Sequence, residues 1–72
     1  MSTMDIYAEP GTKVRFAYPD NGYDFHKKVA AKHLTEGEIY TVKITDVGSF
    51  HTDVYLNEVP GVAFNSVMFE SV

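Results

Sequence analysis

The chain has 72 residues, no cysteine and a formal net charge of −4, so one small domain must hold together without a disulfide or a cysteine-based zinc site. A domain of this size buries only about 60% of the surface its unfolded chain exposes. Packing of its five tyrosines and five phenylalanines with the aliphatic residues, aided by self-association into a homo-oligomer, is the expected source of stability. No apolar run approaches the roughly 18 residues of a membrane helix, and no basic-then-apolar leader opens the chain, which predicts a soluble protein of the cytoplasm.

Charge is unevenly placed. Residues 1 to 34 carry five basic and four acidic side chains, whereas residues 35 to 72 carry Lys43 alone against Glu36, Glu38, Asp46, Asp53, Glu58 and Glu70. A nucleic-acid binder needs a basic face. Only Lys27, Lys28 and Lys32 cluster, on the outer side of a short helix, so the charge argues against a nucleic-acid partner.

Residues 1 to 10 are polar and patternless apart from Ile6 and Tyr7, and read as a loose arm of a single domain spanning 1–72. After the Pro10-Gly11 turn signal, Thr12 to Ala17 reads as a strand with Val14 and Phe16 inward. Tyr18 to Tyr23 is dense in turn formers and reads as a broad loop. Asp24 is then a candidate N-cap for a helix over Phe25 to Leu34. That helix places Phe25, His26, Val29, Ala30, His33 and Leu34 on one half of its surface.

Gly37 supplies the turn into the longest strand. There, Tyr40, Val42 and Ile44 alternate with Thr41, Lys43 and Thr45, predicting the former inward. His51 to Asn57 follows, with Val54 and Leu56 inward and His51, Asp53 and Tyr55 outward. A two-residue loop at Gly48-Ser49 would set inward Ile44 against outward Asp53, so a β-bulge near Val47 and Gly48 or an odd-length loop is expected. Pro60-Gly61 reads as a type II-like turn. Val62 to Phe64 forms a strand, Asn65-Ser66 interrupts it, and Val67 to Glu70 closes the sheet. The fold class is mainly β: about five antiparallel strands closing into a small barrel, with one helix (residues 25–34) after the first strand. An open antiparallel sheet with a helix on one face is the alternative.

Three segments carry a resemblance: Asn21 to Asp24, Leu34 to Val42, and above all Pro60 to Glu70. With them the region from Thr12 to Glu70 resembles a group of small proteins encoded by tailed phages and prophages, with SH3-like barrels. The resemblance implies a phage or prophage product of the accessory, host-interacting kind, acting in the host cytoplasm, and implies no catalytic activity.

His26 and His33 invite a metal reading, but seven helical residues separate them by about 10.5 Å, too far to share an ion bound at roughly 2 Å. No metal and no cofactor are expected. Ser49 and Ser66 lack a nucleophile-elbow context. His51 and Asp53, two apart on one strand, read as a surface hydrogen-bonded pair before an acid–base pair. These observations point away from an enzyme.

Two surfaces remain as binding candidates. Tyr18, Asn21, Tyr23 and Asp24 from the first long loop, with Asn65 and Ser66 from the break before the last strand, offer amide, hydroxyl and carboxylate groups beside tyrosine rings. The outward face of the third strand offers His51, Asp53 and Tyr55, expected opposite Thr41, Lys43 and Thr45, with Phe50 nearby. The leading expectation is a non-enzymatic phage binding protein that docks on and blocks a host protein. Sequestration of a nucleotide-derived host signal in a loop or oligomer-interface pocket is the alternative, and a structural role in the virion the third.

Overall fold

A computed structural model describes residues 3–72. In chain order, β1 is Lys13–Phe16, α1 Asp24–His33, β2 Ile39–Val47, β3 Thr52–Leu56 and β4 Val59–Asn65; a single 3₁₀ turn at Ser66–Met68 leads into β5, Phe69–Ser71. All neighbouring strands are antiparallel, in one open sheet of order β4-β3-β2-β1-β5. Although β4 and β5 are the two edges of that sheet, the Phe64 and Phe69 rings lie 6.3 Å apart, and the molecule measures 28 × 27 × 26 Å. The sheet therefore curls around a single core rather than lying flat beneath the helix.

That core is continuous. Val14, Phe16, Val42, Val54, Leu56, Phe64, Met68 and Phe69 are all buried within it, together with Ala30 and Leu34 on or next to α1. The alternation predicted for β1 and β3 is present: Val14 and Phe16 point inward from β1, and Val54 and Leu56 from β3. Met4 is also in the core, and its N–H donates to the Phe69 carbonyl at 2.9 Å. This ties the arm expected over 1–10 to the β5 edge at Met4; its first two residues lie outside the described ones.

The register of β2 differs from expectation at one point, with consequences for the outer face. Val42 pairs with Leu56 and Ile44 with Tyr55, leaving Lys43 as the extra residue of a bulge. The conflict between Ile44 and Asp53 is thus resolved inside the strand, four residues before the expected place. The loop itself is even, residues 48–51 lying between the pair Val47 and Thr52, and closes with Gly48 N–H donating to the His51 carbonyl at 3.0 Å. Past the bulge the phase inverts. Ile44 turns outward and is 54% exposed; it and Asp46, not Thr41, Lys43 and Thr45, stand across from Tyr55 and Asp53. One exposed isoleucine is exchanged for keeping Val42, Val54 and Leu56 inside together, a net gain in buried apolar area.

A second correction concerns Pro60-Gly61. The hairpin turn is Asn57-Glu58, since Leu56 pairs with Val59. Pro60 and Gly61 lie within β4, where the register shifts between Tyr55 and Leu56. Gly61 adopts φ +81°, and proline has no amide to give a ladder, so the pair bends an edge strand instead of ending one. Glu58, left in the turn, receives the Thr41 N–H on both carboxylate oxygens at 2.8 and 3.1 Å. Burial raises its pKa, but the Thr41 hydrogen bonds outweigh this, with help from Lys13, and the net shift is downward.

The helix is one residue earlier than predicted. Tyr23 is the N-cap and Asp24 the first helical residue, its carboxylate 3.6 Å from Lys27 Nζ. The expectation of Asp24 as N-cap is corrected accordingly. Buried His26 and Ala30, four residues apart, continue into buried Leu34, and the helix packs along β4.

Val42 is fully buried where the two halves of the sheet meet. Val42→Ala should lower stability by roughly 1–3 kcal/mol through lost transfer energy and an unfilled cavity, measured as a lower denaturation midpoint at unchanged m-value.

Candidate functional site

Between α1, the start of β3 and the bent part of β4 lies an open cleft of about 450 Å³. Phe25, His26 and Val29 come from the helix, His51 and Asp53 from β3 and its approach, and Gly61, Val62 and Ala63 from β4. The alternation of β3 sets this up. With Val54 and Leu56 committed to the core, the odd residues of β3 must face out, and the helix on β4 brings its first turn over them.

His26 is the hub. It is 5% exposed, and its Nδ1 receives the Tyr23 N–H and approaches Asn65 Nδ2, both at 3.3 Å. A backbone amide can only donate, so Nδ1 is the unprotonated nitrogen of the neutral ring. The Phe25 ring centroid is 4.0 Å from that of His26, Tyr23 5.4 Å and His51 4.8 Å. His51 Nε2 in turn meets Asp53 Oδ1 at 2.9 Å. Burial lowers the His26 pKa below its ordinary value of 6.5; the neighbouring His51 lowers it further, and Asp53 partly opposes both.

Above this polar floor sits an aromatic rim. Tyr23 and Phe25 stack with centroids 6.0 Å apart and planes 16° from parallel, and both are more than half exposed. Phe50, in the loop before β3, is 91% exposed. Among the described residues no lysine or arginine lines the cleft.

The residues expected as a loop site do come together, but mostly to hold the fold. Asn21 Nδ2 donates to the Val67 carbonyl at 2.8 Å. Asn65 is 3% exposed, and its Oδ1 accepts the Val67 N–H to cap the 3₁₀ turn. Ser66 is equally buried. The Tyr18 hydroxyl reaches Glu70 at 3.5 Å, beside the Arg15–Glu70 ion pair at 2.9 Å. Asp24 lies at the helix start, its side chain almost fully exposed. Of that group only Tyr23 reaches the rim. From the second group, His51 and Asp53 line the cleft, whereas Tyr55 is half-buried across from Ile44 and Ala63.

Phe25, His26, Val29 and the Gly61–Ala63 stretch are additions that the sequence reading did not place in a site. The helical grouping of Phe25, His26 and Val29 was the available signal, and their pairing with β3 depends on where the helix lies. Among the described residues His26 and His51 with Asp53, rather than His26 with His33, form the cluster of possible ligands: one ligating atom from each lies within 4.8 Å of the others.

Over residues 3–72 the sequence matches the family model described as bacteriophage T4 protein Y07B. The chain belongs to that family. No curated protein and no solved structure matches it. Membership makes this Y07B-family chain a small phage protein, as the resemblance implied. No helix among the described residues is long and apolar enough to cross a membrane.

The lowered His26 pKa gives a pH dependence with a definite sign. The unfolded chain takes up a proton at His26 more readily than the folded one, so the contribution of the neutral ring is complete above pH 6.5 and is lost as pH falls through the lower folded-state value. Urea unfolding of the Y07B-family protein across this range should show stability falling on acidification, with a shallower slope in His26→Gln.

Proposed function

We propose that this Y07B-family protein is a non-enzymatic accessory binding protein that docks on a host protein in the host cytoplasm and blocks it, through the cleft between α1 and β3. The observation that carries this reading is the pairing of an exposed aromatic stack, Tyr23 and Phe25, with the His51–Asp53 pair in a cleft that no lysine or arginine of the described residues lines. Such a surface suits a basic side chain of a partner: a guanidinium or ammonium group lies over an aromatic face while a carboxylate takes its hydrogen bonds. Asp46, directly across the ladder from Asp53, adds to the negative potential. The curled five-strand sheet is, on this reading, a small SH3-like barrel that presents the cleft on one side.

The same charge pattern weighs against sequestering a nucleotide-derived signal there, since its phosphates would face Asp53 with no compensating cation. Among the described residues no serine, threonine, cysteine or lysine lines the cleft as a nucleophile, which supports a binding role over a hydrolytic one.

Immobilised protein, incubated with host lysate, should retain one host polypeptide, and retention should weaken with added salt. Phe25→Ala and Asp53→Asn should each reduce it by about tenfold or more, as expected for an anchor and its charge partner, with Lys32→Ala as an unaffected control. Equal retention by all variants would refute the cleft as the docking surface. Release of an intact nucleotide from the denatured protein, detected by mass spectrometry, would replace docking with sequestration.

A further inference from the structure

We propose that His26, His51 and Asp53 form a binding site for a divalent first-row transition ion of the zinc class. The site shares His51 and Asp53 with the docking cleft but needs no partner. Three observations converge on it. One ligating atom from each of the three residues lies within 4.8 Å of the other two. Small ring movements bring such a set to a common ion at roughly 2.0–2.2 Å. Two imidazoles and one carboxylate form the borderline donor set that zinc, cobalt and nickel favour over magnesium or calcium. The three come from two separate elements, α1 and the β3 region, so an ion here would also join helix to sheet.

The second observation is a preformed pair. His51 Nε2 and Asp53 Oδ1 already face each other at 2.9 Å, so an ion seated between them takes both as ligands in place of the proton they share. His51 Nδ1 has no hydrogen-bond partner and is free of any donor, so it takes up the ring proton that Nε2 gives up.

The third observation is electrostatic. Asp46 and Asp53 are direct cross-strand partners on the outer face, a like-charge pairing that is unfavourable on its own and that a cation relieves. Three protein ligands leave the remaining coordination position open to the cleft, as in exchangeable rather than purely structural zinc sites. Against these stand the contacts at His26 Nδ1 from Tyr23 N–H and Asn65 Nδ2. At 3.3 Å both are long. Uptake at Nδ1 displaces them, and uptake at Nε2 leaves a protonated Nδ1 facing the Tyr23 amide. Either course weakens binding.

The test uses the full chain and the metal alone. Cobalt titration followed by visible absorption, and zinc titration by calorimetry, should each give one saturable site. His51→Gln and Asp53→Asn should weaken it about tenfold or more, whereas His33→Gln should not. In the unsubstituted protein, zinc should shift the ring proton resonances of His26 and His51 and leave those of His33 in place, a readout that survives if a variant misfolds. Absence of saturable binding below millimolar metal would overturn the site. So would shifts at His33 alone, or affinity unchanged by His51→Gln. Metal titration of the unsubstituted protein and of His33→Gln is read without any partner, so failure of the metal site leaves host-protein capture standing.

Discussion

The bulge at Lys43 is the constraint on which the other features depend. β2 serves both halves of the sheet, pairing with β1 through Ile39 to Thr41 and with β3 through Val42 to Val47. A regular strand could not do both with this sequence: in the register that pairs Ile44 with Tyr55, an unbulged β2 would set inward Val42 against outward Asn57 instead of Leu56. One extra residue inverts the phase and adds local twist, so the second half of the strand turns away from the first. Curling, a single core and the outward setting of Ile44 and Asp46 opposite Tyr55 and Asp53 follow from it. The 54% exposure of Ile44 is the local sacrifice.

Much of the fold was legible because burial here follows simple periodicities. Val14 and Phe16, Val54 and Leu56, and the helical line from His26 through Ala30 to Leu34 each show their period in the residues themselves. The register conflict between β2 and β3 was legible too; its position was not, because any residue between Val42 and Gly48 relieves it and tertiary packing chooses among them. Pro60-Gly61 was a true signal of irregular backbone, but proline and glycine mark a bend without saying whether the chain reverses there. Asn57-Glu58 made the turn instead, stabilised by Glu58 reaching the Thr41 amide, a contact across strands that local sequence does not announce.

The site was legible only in halves. His51 with Asp53 followed from alternation on one strand, and Phe25 with His26 from helical spacing, yet nothing in either pattern says that the helix lies against β4 with its first turn above β3. Polar loop residues were the more conspicuous candidates because asparagine, aspartate and tyrosine are common to ligand sites and to turns. In this molecule most of them serve the second purpose. Asn21 and Asn65 hold the backbone around Val67, where a break between strands exposes amides and carbonyls that must be paired.

Burying an imidazole at such a junction is chemically costly in a domain whose core is small, and the surroundings show how it is tolerated. His26 keeps a nitrogen on a backbone donor, an amide beside it and aromatic rings on its flanks, so the neutral ring is accommodated and the charged one is not. An alanine or leucine at this position would pack the helix against the sheet without that expense. A titratable, polarisable group in the wall of an open cleft, with a second histidine and a carboxylate within reach, is instead an arrangement that responds to what enters. Asp53 links the two tendencies. It opposes the lowering of the His26 pKa and draws cations to the mouth of the cleft, so occupation by positive charge would depend on the same carboxylate that eases protonation of His26. A cation beside His26 then disfavours the charged imidazole further, which couples ligand binding to the neutral form that the fold already prefers.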